Sequence, residues 1–171
     1  MALRNILTKE EPRLRKKSRA VTEFNSRLWQ LIDDMRETLL SADGVGLAAP
    51  QVGVLRRVVL VMDINMEGKT PEEQIIELVN PEIIETSGTQ EGAEGCLSVP
   101  GEYGIVTRPE NVTVKAQDRF GNEFTVSGYG MTARCFCHEC DHLDGKLFID
   151  IATRMLDPDE MDGPEDDTME D

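Results

Sequence analysis

The stretch FCHECDHLDG, residues 136–145, holds both histidines of the chain, two of its four cysteines and three acidic residues. His138 and His142 are four apart, so on a helix they stand one above the other on a single face. The helical pattern starts near Met131, runs to about Leu143, and follows long β-like stretches with no alternation of strand and helix. One helix after many strands argues for an α+β chain, with antiparallel β-sheets around a central metal-binding helix, rather than a doubly wound parallel sheet. Spelled H-E-x-x-H, the run also matches the zinc signature in which the intervening Glu, here Glu139, acts as general base.

Working outward, NVTVKAQDRFGNEFTVSG (residues 111–128) alternates Val112, Val114 and Ala116, turns through Asp-Arg-Phe-Gly-Asn, and resumes at Phe124 and Val126. That is a β-hairpin. LRRVVLVMDI (55–64) and QIIELVNPEII (74–84) are Val- and Ile-rich strands, NMEGKTPEEQ (65–74) between them is a polar turn, and GKLFIDI (145–151) has the look of a short strand. NSRLWQLIDDMRETLLSADG (25–44) places Leu28, Leu31, Ile32, Met35 and Leu39 at helical spacing, with Asn25 or Ser26 as N-cap and Gly44 past its end. This is an N-terminal amphipathic helix whose apolar stripe, with Trp29, belongs to the core. GVGLAAPQVG (44–53) reads as a small, Gly-rich loop.

At 171 residues the chain is one domain by length. Its net charge of -15 is lopsided, because residues 157–171 carry nine of the 33 acids and no Lys or Arg, which leaves residues 1–156 at -6. The expectation is a single catalytic domain over 1–156 and an acidic tail over 157–171 whose composition favours disorder. No run approaches the roughly 20 apolar residues of a membrane helix, and the start of the chain has neither the apolar core of a secretory signal nor the acid-free character of a transit peptide. Cys96, Cys135, Cys137 and Cys140 are not spread as a disulfide framework, so they point to reduced thiols, metal ligation or catalysis.

On a helix the face of His138 and His142 also carries Met131 and Cys135, while Cys137 and Cys140 turn away. EGCLSVPGEYG (94–104) offers Cys96 in a loop bounded by Gly and Pro, where a thiolate and two imidazoles would make three ligands with a fourth position open. Cys135 remains the alternative third ligand. A cysteine in a loop is also commonly a small buried hydrophobe.

Taken together, GVGLAAPQ, EGCLS and HECDHLDG, in this order, resemble the three signature motifs of the peptide deformylases. PRLRKKSRAV near the start and SVPGEYGIVTRP after Cys96 extend the likeness to about residues 6–151. The resemblance implies that Cys96, His138 and His142 hold one divalent metal, ferrous iron by preference, with zinc, nickel or cobalt as substitutes. It implies that Glu139 is the general acid and base, that Gln51 and the N–H of Leu97 receive the oxyanion, and that Val45 and Gly46 pair with an extended substrate. The implied reaction removes the formyl group from the N-terminal formylmethionine of nascent chains at the ribosome, in a bacterial-type cytoplasm or an organelle. No residue pattern points to direct nucleic-acid contact, and none assigns an oligomeric state. Cys137 stands where many members have Gln and Cys140 where many have an apolar residue, which adds two thiols to the neighbourhood and a route to oxidation.

Two other readings compete. A zincin-type endopeptidase needs a third His or Glu downstream, where there is no His and only the tail's acids. A non-catalytic module would close the metal with a fourth cysteine and leave Glu139 and Gln51 without roles. A final expectation concerns Glu94 and Arg108, which flank the Cys96 segment and could clamp it as a carboxylate–guanidinium pair.

Overall fold

The computed structural model describes residues 2–160. Its strands are Gly46–Ala48 (β1), Val58–Met62 (β2), Ile75–Ser87 (β3), Gln90–Cys96 (β4), Val99–Arg108 (β5), Asn111–Gln117 (β6), Glu123–Tyr129 (β7) and Arg154–Met155 (β8). They form a five-stranded sheet in the order β1-β2-β3-β6-β7 and a three-stranded sheet in the order β4-β5-β8, and every pairing of named strands is antiparallel. The helices are Ser26–Ala42 (α1), Pro71–Gln74 (α2) and Met131–Leu143 (α3). This is the expected α+β arrangement.

Strand β2 explains the layering. It is buried along its whole length, as a strand covered on both faces must be. Val58, Leu60 and Met62 pack with Leu28, Ile32, Met35 and Leu39 of α1, while the alternate Val59 and Val61 pack with Ala133, Phe136 and Leu143 of α3. The period of two thus sends one apolar set to each helix. Between the sheets, α3 also meets the smaller one, where Val99, Val106, Leu147 and Phe148 form a third cluster against Cys96. The Oδ1 of Asn25 caps α1 by accepting from the N–H groups of Arg27 and Leu28. Its far end is closed by Asp43 in the left-handed region, φ 60°, one residue before the expected glycine.

Four local expectations are corrected. GVGLAAPQVG is not a loop, because Gly46–Ala48 pairs with β2 and Ala49–Val52 forms a 3-10 turn closed by Gly53 at φ 84°. The fully buried Leu47 and Ala48 explain it, since packing against both helices overrides the weak β propensity of Gly and Ala. Cys96 likewise ends β4 rather than sitting in a loop, paired with Val99 across a two-residue turn and following a bulge after Glu94. In the polar turn, Thr70 and Glu73 form a capping box that starts α2. GKLFIDI gives a 3-10 turn, Phe148–Asp150, because the Leu147 N–H donates to the Asp150 carboxylate and so competes with strand pairing. Most of the expected acidic tail, residues 161–171, lies outside the described residues; before it, Glu160 folds back onto Arg154.

Candidate active site

The two imidazoles stand one turn apart on α3, with ring centroids 5.1 Å apart, and both rings are buried. The end of β4 brings Cys96 Sγ to 3.3 Å from His142 Nε2. Ligand atoms of Cys96, His138 and His142 all lie within 4.8 Å of one another. The donor set fits a divalent metal. Burial pushes His142 well below the usual histidine range, so its imidazole is neutral as a ligand must be, and its Nδ1 is a buried atom with no hydrogen-bond partner. Burial would lower His138 too, but hydrogen bonds to Cys96 and Glu94 outweigh it and raise its pKa well above normal. Three protein donors leave a fourth position for exchangeable ligands.

The histidine orientation is set from outside. His138 Nδ1 lies 2.9 Å from Glu94 Oε1, which turns Nε2 toward Cys96. Glu94 is gripped by the fork of Arg108, Nε to Oε2 at 2.9 Å and a terminal nitrogen to Oε1 at 3.0 Å, so the expected pair is made in bidentate form. A second guanidinium, Arg134, donates to Glu94 Oε2 at 2.8 Å and to the carbonyl of Val106, and Arg108 reaches on to Asp141 at 2.8 Å. Burial alone would raise the Glu94 carboxyl, yet its bonds with His138 and Arg108 bring it down to about 2. The sequence places Arg134, one turn before His138, at the edge of the histidine face without giving it a role, and sequence reasoning missed Asp141, one residue before His142.

Glu139 is buried. Its Oε1 lacks a hydrogen-bond partner and its Oε2 presses on β1, where a Cβ on Gly46 would stand 2.5 Å away. Desolvation by burial pushes its carboxyl up to about 7, which suits a group that must both take and return a proton near neutrality. Gln51, also buried, accepts the Ala48 N–H on Oε1 at 2.9 Å. That bond aims its Nε2 at Ser98 Oγ, 3.0 Å, and Cys96 Sγ, 3.5 Å. Ser98 was also missed.

A cavity of about 530 Å³ opens on this site, with Val45, Gly46, Gln51, Glu94, Cys96, Leu97, His138 and Glu139 in its wall. Its mouth is apolar, with Val45, Tyr103 and Met131 each about two-fifths exposed. Both β1 and β4 are edge strands of their sheets and meet here. Cys135 borders the cavity but is not in the metal-donor group, and burial pushes its thiol up to about 12. Burial likewise raises Cys137 to about 11 and Cys140 to about 12, which disfavours their thiolate forms. A larger groove of about 820 Å³ lies elsewhere and holds none of these residues.

The family model described as polypeptide deformylase matches residues 3–157. The chain is 54% identical over 162 residues to a peptide deformylase of Caldicellulosiruptor bescii, covering 95% of this chain and 93% of that one. It is 54% identical over 150 residues to one of Lachnoclostridium phytofermentans, covering 88% and 89%. Its fold is similar to a peptide deformylase crystal structure from Legionella pneumophila, with TM-score 0.81, 46% identity, and 99% and 96% of the two chains covered. The Thermotoga maritima structure gives TM-score 0.81 at 36% identity, covering 90% and 99%.

Proposed function

The chain belongs to the peptide deformylase family, and we propose that Cys96, His138 and His142 hold its catalytic metal while Glu139, Gln51 and Leu97 carry the chemistry. It is a metal-dependent hydrolase that removes the N-formyl group from the formylmethionine of newly made polypeptides and releases formate. The observation that carries the residue assignment is the grouping of Cys96, His138 and His142, two of which line one cavity, together with a buried carboxylate of raised pKa in the wall of that cavity.

A bound divalent metal would supply Lewis-acid polarisation and lower the pKa of a water toward neutrality. Glu139 takes the proton of the attacking water and returns it to the departing amine, so that one water is consumed and formate and a free amino terminus result. The Gln51 amide and the Leu97 N–H donate to the oxygen that becomes negative as the formyl carbon turns tetrahedral; losing one such donor costs about 10²–10³ in kcat. The backbone of Val45 and Gly46, on the β1 edge, pairs with the extended substrate. Glu94, held by Arg108 and Arg134, keeps His138 turned to its task.

Ferrous iron is the preferred ion of this reading, with zinc, nickel or cobalt as substitutes, since thiolate and imidazole together suit these borderline metals. The reading further treats residues 1–156 as one catalytic domain acting in the cytoplasm on chains emerging at the ribosome. No described helix is long and apolar enough to cross a membrane. The test is a hydroxamate carrying a Met-like side chain, added to protein purified without oxygen while formate release from a formyl-Met peptide is followed. Tight competitive inhibition is expected; indifference to the hydroxamate would mean that the metal has no open position and would overturn the assignment.

A further inference from the structure

Gln51 is pinned at three points. Its main-chain carbonyl accepts the Leu7 N–H at 2.7 Å, its Oε1 accepts the Ala48 N–H at 2.9 Å, and its Nε2 donates to Ser98 Oγ at 3.0 Å. Because a backbone N–H can only donate, the Ala48 bond decides which end of the amide is oxygen and turns the NH2 group toward Ser98 and Cys96. One of the two amide hydrogens goes to Ser98 Oγ, and the other faces Cys96 Sγ at 3.5 Å, on the side of the proposed metal. Ser98 and Gln51 are 0% and 1% exposed. An amide hydrogen that lost the Ser98 hydroxyl would therefore have no bulk water to turn to, and leaving a buried donor unpaired is costly.

Ser98 also sits where two elements must be held together. It is the second residue of the turn that joins β4 to β5, directly after Leu97, whose N–H is the other oxyanion donor in the reading above. Gln51 lies on the 3-10 turn Ala49–Val52, which follows β1 of the larger sheet. The bond between Ser98 and Gln51 thus crosses from one sheet to the other and ties the turns that carry the two donors. Resting on that reading of Gln51 and Leu97, we propose that Ser98 is a positioning residue of the oxyanion site. Its hydroxyl keeps one hydrogen of Gln51 Nε2 throughout the reaction, which leaves the other aimed at the oxygen that becomes negative. Donors fixed beforehand are effective because they need not reorganise as the charge develops. With the Ala48 bond alone, the amide would swing about that single contact, since the terminal torsion of a glutamine is broad and sets no orientation of its own.

The test has two arms. In the first, Ser98→Ala, Gln51→Ala and the double variant are compared in formate release from a formyl-Met peptide, each with its metal content measured. Ser98→Ala should lower kcat by about 10- to 100-fold at unchanged metal content, with KM within about 3-fold of the wild type. In the Gln51→Ala chain, already slow, the same change should cost less than about 2-fold more, because a residue that acts through Gln51 has nothing left to position. A wild-type kcat in Ser98→Ala, or an equal further loss in the Gln51→Ala chain, overturns the proposal. Wild-type turnover in Gln51→Ala alone would instead remove the reading of Gln51 as a donor. The second arm needs no variant. In the zinc-loaded, unaltered chain, the two Gln51 Nε2 hydrogens are followed by NMR while the Met-like hydroxamate is added. The hydrogen on Ser98 should keep its chemical shift while the other moves. Movement of both overturns the proposal, and movement of neither would place Gln51 away from the reacting oxygen and remove the reading with it.

Discussion

At the scale of single residues the account rests on Cys96. Its sulfur meets His142 Nε2 at 3.3 Å although the two are 46 positions apart in the chain, and nothing in the spelling EGCLS states that distance. What was legible was chemistry: two histidines at helical spacing needed a third donor. Cys135 met the spacing, but its side chain is embedded among Ala133, Phe136 and the strands beneath α3. Replacing Cys96 by Ser exchanges a soft thiolate for a hydroxyl and should lower metal affinity by at least about 10-fold, within the range seen when groups that hold or tune a metal are changed. Metal titration followed by elemental analysis checks this. Full metal content in Cys96→Ser would move the third ligand elsewhere.

Elements were legible in proportion to how far their own pattern decides them. The amphipathic stripe of α1, the alternation in β6 and β7, and the β-branched run of β2 each state their conformation locally, and each forms as expected. β1 and β4 do not, because Gly46, Ala48, Gly92 and Gly95 carry no strand signal and pair only because neighbours force them to. Those two elements form the candidate site together with α3. Small residues are needed there because side chains press on the backbone: Glu139 on Gly46, and the Tyr103 ring on Gly95. Gly46→Ala should therefore push the Glu139 carboxylate aside, and a displacement near 1 Å costs on the order of 10²-fold in kcat. Formate release with unchanged metal content and circular dichroism would isolate the effect. Wild-type turnover in that variant would mean that Glu139 need not sit where it does.

Across the whole molecule, the proposed metal would join the two sheets through α3, since Cys96 belongs to the smaller sheet and both histidines to the helix beneath the larger one. Binding to the folded state alone stabilises it by about 4 kcal/mol when the ion stands at about 1,000 times its Kd. For a chain of this length each kcal/mol moves Tm by about 2–4 °C. Chelation should thus lower Tm by roughly 10 °C, read by calorimetry, and readdition should restore it. An unchanged Tm would show that the donors do not bridge the sheets through a metal.

The central claim is that Glu139 moves the proton in a site whose ligands are Cys96, His138 and His142. Its most direct measurement is turnover per bound metal for Glu139→Gln beside the wild type, on a formyl-Met peptide. The amide keeps the size of the side chain and leaves the three donors in place, so one metal per chain is expected with formate release reduced by about 10²–10⁴-fold. Turnover near the wild-type value at full metal content would contradict the account.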